Sequence, residues 1–121
     1  MEQIEMQLIN TLSDTPIQKF SFKSVDTREN IDFTLRYMPT QRSWYLDFIY
    51  NNQEFNGNKV VLGENILRMY KNIIPIGISI IADKHIEPFA LDDFSSGRVL
   101  FYILNKEEVK QVESDIYGIY D

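Results

Sequence analysis

Trp44-Tyr45-Leu46-Asp47-Phe48-Ile49-Tyr50 is the densest run of aromatic and β-branched residues in the chain, and its alternation decides the fold class. Trp44, Leu46, Phe48 and Tyr50 fall on one face of an extended strand, and Tyr45, Asp47 and Ile49 on the other. Neither face is wholly polar. The stretch therefore reads as a central strand with a core side and a second, partly covered side. It holds one carboxylate and no histidine, cysteine or lysine, so it is built for packing rather than for chemistry.

Working outward, Ile31, Phe33, Leu35 and Tyr37 alternate with Asp32, Thr34, Arg36 and Met38, which is the pattern of a half-buried strand. Pro39 to Ser43 connects it to the Trp44 strand, so residues 31–50 are expected to form an antiparallel hairpin. Upstream, Phe20 and Phe22 sit at strand spacing within Lys19 to Val25, and Asp26 to Asn30 is a polar turn. Residues 3–9 alternate as an edge strand or an extended arm would, until Ser13-Asp14-Thr15-Pro16 breaks the pattern. Downstream, Asn51 to Asn58 reads as a turn around Gly57, and Lys59 to Leu62 as a short strand. Ile66, Leu67 and Tyr70 have helical spacing, fitting one or two turns of helix or a bent continuation of the sheet. Ile73 to Ile81 is a strand entered through Pro75 with Gly77 inside it, and Asp83 to Gly97 is a long polar loop. Arg98 to Leu104 is apolar on both faces and belongs inside a sheet.

The period then changes. Asn105 and Glu108 have the spacing of a capping box, Val109, Val112 and Ile116 recur at three and four, and Gly118 ends the helix. The expected architecture is one domain over residues 1–121, mainly β and mostly antiparallel, with six to eight strands in a β-sandwich or flattened β-barrel. One C-terminal α-helix lies against an edge or open end. Residues 1–15 are a candidate extended arm, and 105–121 form the helix and tail.

Composition removes several function classes. With no cysteine, the chain has no disulfide, thiolate metal site or thiol nucleophile. A net charge of −6 with scattered Lys and Arg argues against specific nucleic-acid binding. A negative wall would instead suit a conduit that must not retain DNA, because like charge suppresses sticking. No apolar run reaches the roughly 20 residues of a membrane span, and Met1-Glu2-Gln3-Ile4-Glu5 does not resemble a signal peptide. The expected place is the cytoplasm, or an assembly built there.

The strongest candidate for chemistry is the loop with Asp83, His85, Glu87, Asp92 and Asp93, whose carboxylates and imidazole are of the types that bind metals or share a proton. Its spacing fits no ligand motif, there is no second histidine, and Pro88 splits the cluster. A solvated acidic loop is the better reading. Ser79 lacks the flanking glycines of a nucleophile elbow, and the five glycines never gather into a phosphate-binding loop. Arg98 is positioned to pair with Asp92 or Asp93. No catalytic, cofactor-binding or metal-ligating residue is expected.

Of the sixteen aromatic residues most are needed for the core, while Tyr45, Tyr102, Tyr117 and Tyr120 are surplus to it. Surplus tyrosines favour a protein interface, since they offer large apolar area with a polar tip. Ile119 and Tyr120 make the tail too apolar for a solvated end. With Ile4, Met6 and Leu8 of the arm, the expected interface residues are Ile4, Met6, Leu8, Tyr45, Tyr102, Tyr117, Ile119 and Tyr120.

Taken as a spaced pattern, the middle of the chain resembles the small baseplate plug proteins of contractile-tailed bacteriophages, a family named from a cyanophage baseplate plug. The residues that carry the likeness are Phe20 and Phe22, Phe33-Thr34-Leu35-Arg36-Tyr37, Trp44 to Phe48, and Leu62-Gly63-Glu64-Asn65-Ile66-Leu67. Pro75-Ile76-Gly77, Asp83 with Pro88, Asp92-Asp93 and Arg98 to Ile103 continue it. The likeness spans about residues 16–104, leaving the first fifteen residues and the segment from Lys106 without a counterpart. It implies a virion structural protein of the tail baseplate, without catalysis or cofactor, assembled in the host cytoplasm. It would be a plug at the central hub that closes or connects the tube. Its partners would be other hub, spike and tube proteins, and copies of itself in three-fold or six-fold symmetry. The competing reading is a small monomeric β-barrel that binds a peptide or small ligand. A third, a hydrolase or metal enzyme, would rest on the His85 loop.

Overall fold

A computed structural model describes residues 6–24 and 27–117 of the chain. Among them seven strands form two antiparallel sheets. The larger has the order β2(Ile17–Lys23), β3(Asn30–Met38), β4(Ser43–Tyr50), β5(Gln53–Lys59). The smaller has the order β1(Gln7–Leu8), β7(Val99–Leu104), β6(Gly77–Ala82), followed in the chain by α1(Lys106–Tyr117). The expected hairpin is present, with Ile31 opposite Tyr50 and Met38 opposite Ser43. The alternation around Trp44 is obeyed: Trp44, Leu46 and Phe48 are fully buried, and Tyr45 and Asp47 are half-covered on the opposite face.

The segment after the hairpin differs from the sequence reading. The turn is confined to Asn51 and Asn52, with φ of 54° and 64°, and Gln53–Lys59 is a strand. Two successive left-handed residues are what a two-residue hairpin loop requires, and asparagine tolerates that conformation. The strand was hidden because it lies at a sheet edge and sends only Phe55 into the core. Leu46 pairs with Asn58 and Phe48 with Phe55, so Asn56 and Gly57 together oppose Asp47 in a β-bulge. Gly57 takes φ of +77° there, and its N–H donates to Asp47 Oδ1 at 2.8 Å. Of Lys59 to Leu62, expected as a short strand, Lys59 ends β5, Val60 N–H still donates to the Trp44 carbonyl at 2.9 Å, and Val61 and Leu62 are not strand.

The inner faces meet in one core. Ile31, Phe33, Leu35, Trp44, Leu46 and Phe48 from the larger sheet pack with Ile78, Ile80, Val99, Phe101 and Ile103 from the smaller. Phe20 joins the layers by stacking on Phe33 at 5.1 Å and meeting Phe101 edge-on at 5.8 Å. The two sheets do not close on each other. Of the two expected architectures, the sandwich is therefore the one formed.

The crossing from β5 to β6 is pinned by Asn65, which is 4% exposed. Its Oδ1 accepts the N–H groups of Leu67 and Ile78, both at 3.0 Å. The helical spacing at Ile66 to Tyr70 resolves into a single 3-10 turn, Arg68–Tyr70. Gly77 opens β6 instead of interrupting it, and a Cβ there would lie 2.8 Å from Cγ of Asn65. The glycine thus makes room for the amide that fixes the crossing.

α1 begins with the expected capping box: Asn105 N–H donates to Glu108 Oε1, and Glu108 N–H donates to Asn105 Oδ1, both at 2.8 Å. Val109 and Val112 pack on Leu104, with Met6 beside them. Ile116, expected on the same buried face, is 55% exposed. Glu113 takes the inward place, because Arg68 and Lys71 donate to its two oxygens at 2.8 and 3.0 Å. Gly118, expected as the stop, lies outside the described residues.

Candidate interaction surface

The acidic loop is a structural clasp. Asp83, His85 and Asp92 are exposed, Glu87 is exposed but its Oε1 accepts the N–H of Leu62 at 2.8 Å, and Asp93 turns inward and is 1% exposed. Asp93 Oδ2 accepts the N–H groups of Phe89 and Ala90 at 2.6 and 2.7 Å, and Oδ1 accepts Nε–H of Arg98 at 2.8 Å. Burial pushes this carboxyl up, but Arg98 and the two backbone donors outweigh it and hold the group below the usual aspartate value. Arg98 also donates to the carbonyls of Ile86 and Glu87 and lies 5.0 Å from the centre of the Phe89 ring. The clasped loop then reaches the larger sheet, where Tyr37 and Trp44 donate to the carbonyls of Phe89 and Ala90. Every group that looked reactive is either scattered in solvent or committed to holding this loop. Among the described residues no three metal-ligating side chains converge. Ser79 is buried, with its hydroxyl against the Gly63 carbonyl.

The outer faces of the two sheets differ in polar content. The larger sheet carries Lys19, Ser21, Asp32, Thr34, Arg36, Asp47 and Glu54 along a shallow concavity, with exposed Ile49 among them and exposed Ile17 opposite Arg36. There Ser21 donates to Asp32 at 2.6 Å, and Arg36 holds Asp47 through two bonds of 2.6 and 3.1 Å. The Arg36 bond is the main reason that the Asp47 carboxyl sits below its ordinary value. Tyr45 belongs to this face, where the Arg36 guanidinium stands 5.8 Å from its ring centre.

The smaller sheet is apolar outside as well as inside. Tyr102 lies between Leu8 on β1 and Ser79 on β6, and Leu100 lies opposite Ile81. Leu8 and Ile81 are 40% and 41% exposed, and Leu100 and Tyr102 are half-buried. α1 covers the far end of this face over Leu104, Ser79 is also buried, and Leu8, Ile81, Leu100 and Tyr102 stay at least partly open.

Of the expected interface residues, the fold therefore brings Leu8 and Tyr102 together as direct cross-strand partners. Met6 is on the covered part, under α1, and Tyr45 is on the other sheet. Ile4, Ile119, Tyr120 and the side chain of Tyr117 lie outside the described residues. Ile81 and Leu100 were not singled out from sequence. The signal was there in strands apolar on both faces, which must have their outer side covered by something.

A family model described as "Cyanophage baseplate Pam3 plug gp18" matches residues 6–107. The match takes in both sheets and the first two residues of α1, and it begins ten residues before the likeness in the sequence. No curated protein matches the chain.

Proposed function

The chain belongs to the cyanophage baseplate plug family, and from that premise we propose that it sits at the hub of the tail and closes or connects the tube through protein contacts. Membership makes it a structural protein of the virion, in the tail baseplate. The finer reading is a part without catalysis that is held between other baseplate proteins and copies of itself. Assembly would take place in the host cytoplasm.

The observation that carries this reading is the partly exposed apolar face of the smaller sheet. Leu8, Ile81, Leu100 and Tyr102 form a contiguous apolar surface, while on the equivalent face of the larger sheet Ile17 and Ile49 are interspersed with charged and hydroxyl side chains. A sheet face of this kind is where a partner buries area. The clasped loop supports the same reading, since its one buried carboxylate, Asp93, is used for architecture.

The test is association in solution and with baseplate proteins. Purified chain should self-associate or capture hub, spike or tube proteins of its phage, and the pair Leu8→Asp, Ile81→Asp should abolish this while the circular dichroism spectrum is kept. Both residues are exposed enough to change without emptying the core. A chain that stays monomeric, binds no tail protein and is indifferent to the double substitution would refute the reading.

A further inference from the structure

The edges of the two sheets are not treated alike. β1 is two residues long. The free side of β6 is taken by the crossing before it, where Gly63 pairs with Ile80 and Ile66 N–H donates to the Ile78 carbonyl at 2.8 Å. The larger sheet has no such cover on β2. At its two ends Tyr37 N–H donates to the Pro16 carbonyl and Ser24 N–H to the Glu29 carbonyl. An antiparallel ladder alternates, so the N–H and C=O groups of Ile17, Lys19, Ser21 and Lys23 face away from β3. Among the described residues they meet no backbone partner, and all four residues are exposed. The connection before β2 reaches only the Gln18 side chain, through Ser13 and Thr15. Seven residues with neither proline nor bulge make a long open edge, and such an edge is a template for another strand. The opposite edge, β5, is exposed as well, and there Glu54 accepts from Asn56 at 3.5 Å on its own strand.

We infer that β2 of one copy pairs antiparallel with β5 of a second copy, so that the larger sheets run on from chain to chain. The inference rests on the self-association part of the proposed function and adds a contact that works beside the apolar face of the smaller sheet. Direction permits the pairing. Four antiparallel strands leave β2 and β5 running oppositely, so a neighbour rotated about an axis along the strands presents its β5 antiparallel to β2. The side chains choose between partners. With β2 set against its own copy around Phe20, Lys19 and Lys23 of both chains gather on one face. With Ser21 set opposite Glu54 of the second copy, Glu54 stands diagonally between Lys19 and Lys23, and Phe55 comes opposite Phe20 on the core side. The β-bulge at Asn56 and Gly57 then falls opposite Lys19, and Lys59 meets Ile17, so no like charges are directly opposed. Phe20 and Phe22 are only half-buried at the margin of the core, which is where an added strand buries area.

Proline separates the edge from the fold. Ser21→Pro removes an N–H that β3 does not use, at the kind of place where an edge strand accepts proline. It should keep the circular dichroism spectrum and weaken self-association at least about tenfold by analytical ultracentrifugation. Ser21→Ala gives up the hydroxyl bond to Asp32 but keeps the N–H, and should associate as the unchanged chain does. Partner and register are read by disulfide trapping, which a chain without cysteine allows. Opposed residues of a hydrogen-bonded pair lie about 5.5 Å apart at Cα, within disulfide range. An equimolar mixture of Ser21→Cys and Glu54→Cys chains should therefore give a linked dimer on mild oxidation, and neither variant alone should. Linkage by Ser21→Cys alone would put β2 against β2 and overturn the inference. Full association by Ser21→Pro, or association without linkage in the mixture, would overturn it too while leaving the assembly reading intact. The same holds if Ser21→Pro loses a hub or tube protein and the mixture stays unlinked, since another protein's strand then occupies the edge. An unchanged chain that is monomeric and binds no tail protein would remove both readings.

Discussion

Replacing Asp93 with Ala tests whether the acidic loop is architecture. The carboxylate accepts two backbone N–H groups and the Arg98 guanidinium, and the residue is 1% exposed, so its removal leaves three donors facing the space it filled. Each hydrogen bond to a charged acceptor is worth about 1.5 kcal/mol, and the guanidinium left without its anion adds to the loss. Relaxation of the loop returns part of this, leaving a destabilisation of about 3–5 kcal/mol. For a chain of this length 1 kcal/mol moves the melting temperature by about 3–6 °C, so Asp93→Ala should melt about 10–30 °C lower. Asp93→Asn keeps the shape and one acceptor and should lose about half as much. Thermal and urea unfolding followed by circular dichroism would measure both. Because Arg98→Ala removes the same contact from the other side, the double substitution should cost much less than the sum of the singles. A carboxylate kept for catalysis or metal binding at the expense of stability gives the opposite sign, so an unchanged or raised melting temperature in Asp93→Ala would refute the clasp.

Acidification should destabilise the fold in a defined window. Asp47, Asp93 and Glu113 all have folded pKa values below their ordinary ones, so their contribution is present above about pH 4–4.5 and is lost as the pH falls through the depressed values. The melting temperature should be steady from pH 7 to about 5 and fall below about 4, with a shallower fall in Glu113→Gln. Gly77→Ala places a methyl 2.8 Å from the Asn65 amide and should cost about 1–3 kcal/mol, much of it recovered in the Asn65→Ala background by a double-mutant cycle. At the hairpin tip, Asn52→Gly should leave stability equal or slightly higher, and Asn52→Val should lower it by about 1 kcal/mol or more, because a β-branched residue resists φ of 64°. Equal melting temperatures for these two variants would count against a left-handed turn.

How much of this was legible without coordinates depended on whether a residue's role is local. Period two around Trp44 and Ile31, the capping box of Asn105 and Glu108, and the interior position of Arg98 to Leu104 follow from alternation and from contacts three or four residues apart, and the structure has all of them. Strand β5 was concealed because an edge strand with one buried side chain has the composition of a loop. The inward turn of Asp93 was equally invisible, since nothing in Asp92-Asp93 distinguishes the carboxylate that meets Arg98 from the one that meets water.

The sequence by itself determined the class of the protein: antiparallel strands, a capped helix, and an absence of any motif for chemistry. Only the tertiary structure decided that the strands make two unclosed sheets, that Leu8 and Tyr102 stand side by side, and that Ile81 and Leu100 extend their patch. The physical reason is range. Backbone geometry ties a residue to neighbours within a turn or a strand, but the partners of Leu8 and Asn65 lie across chain crossings whose path is set by the packing of the whole core.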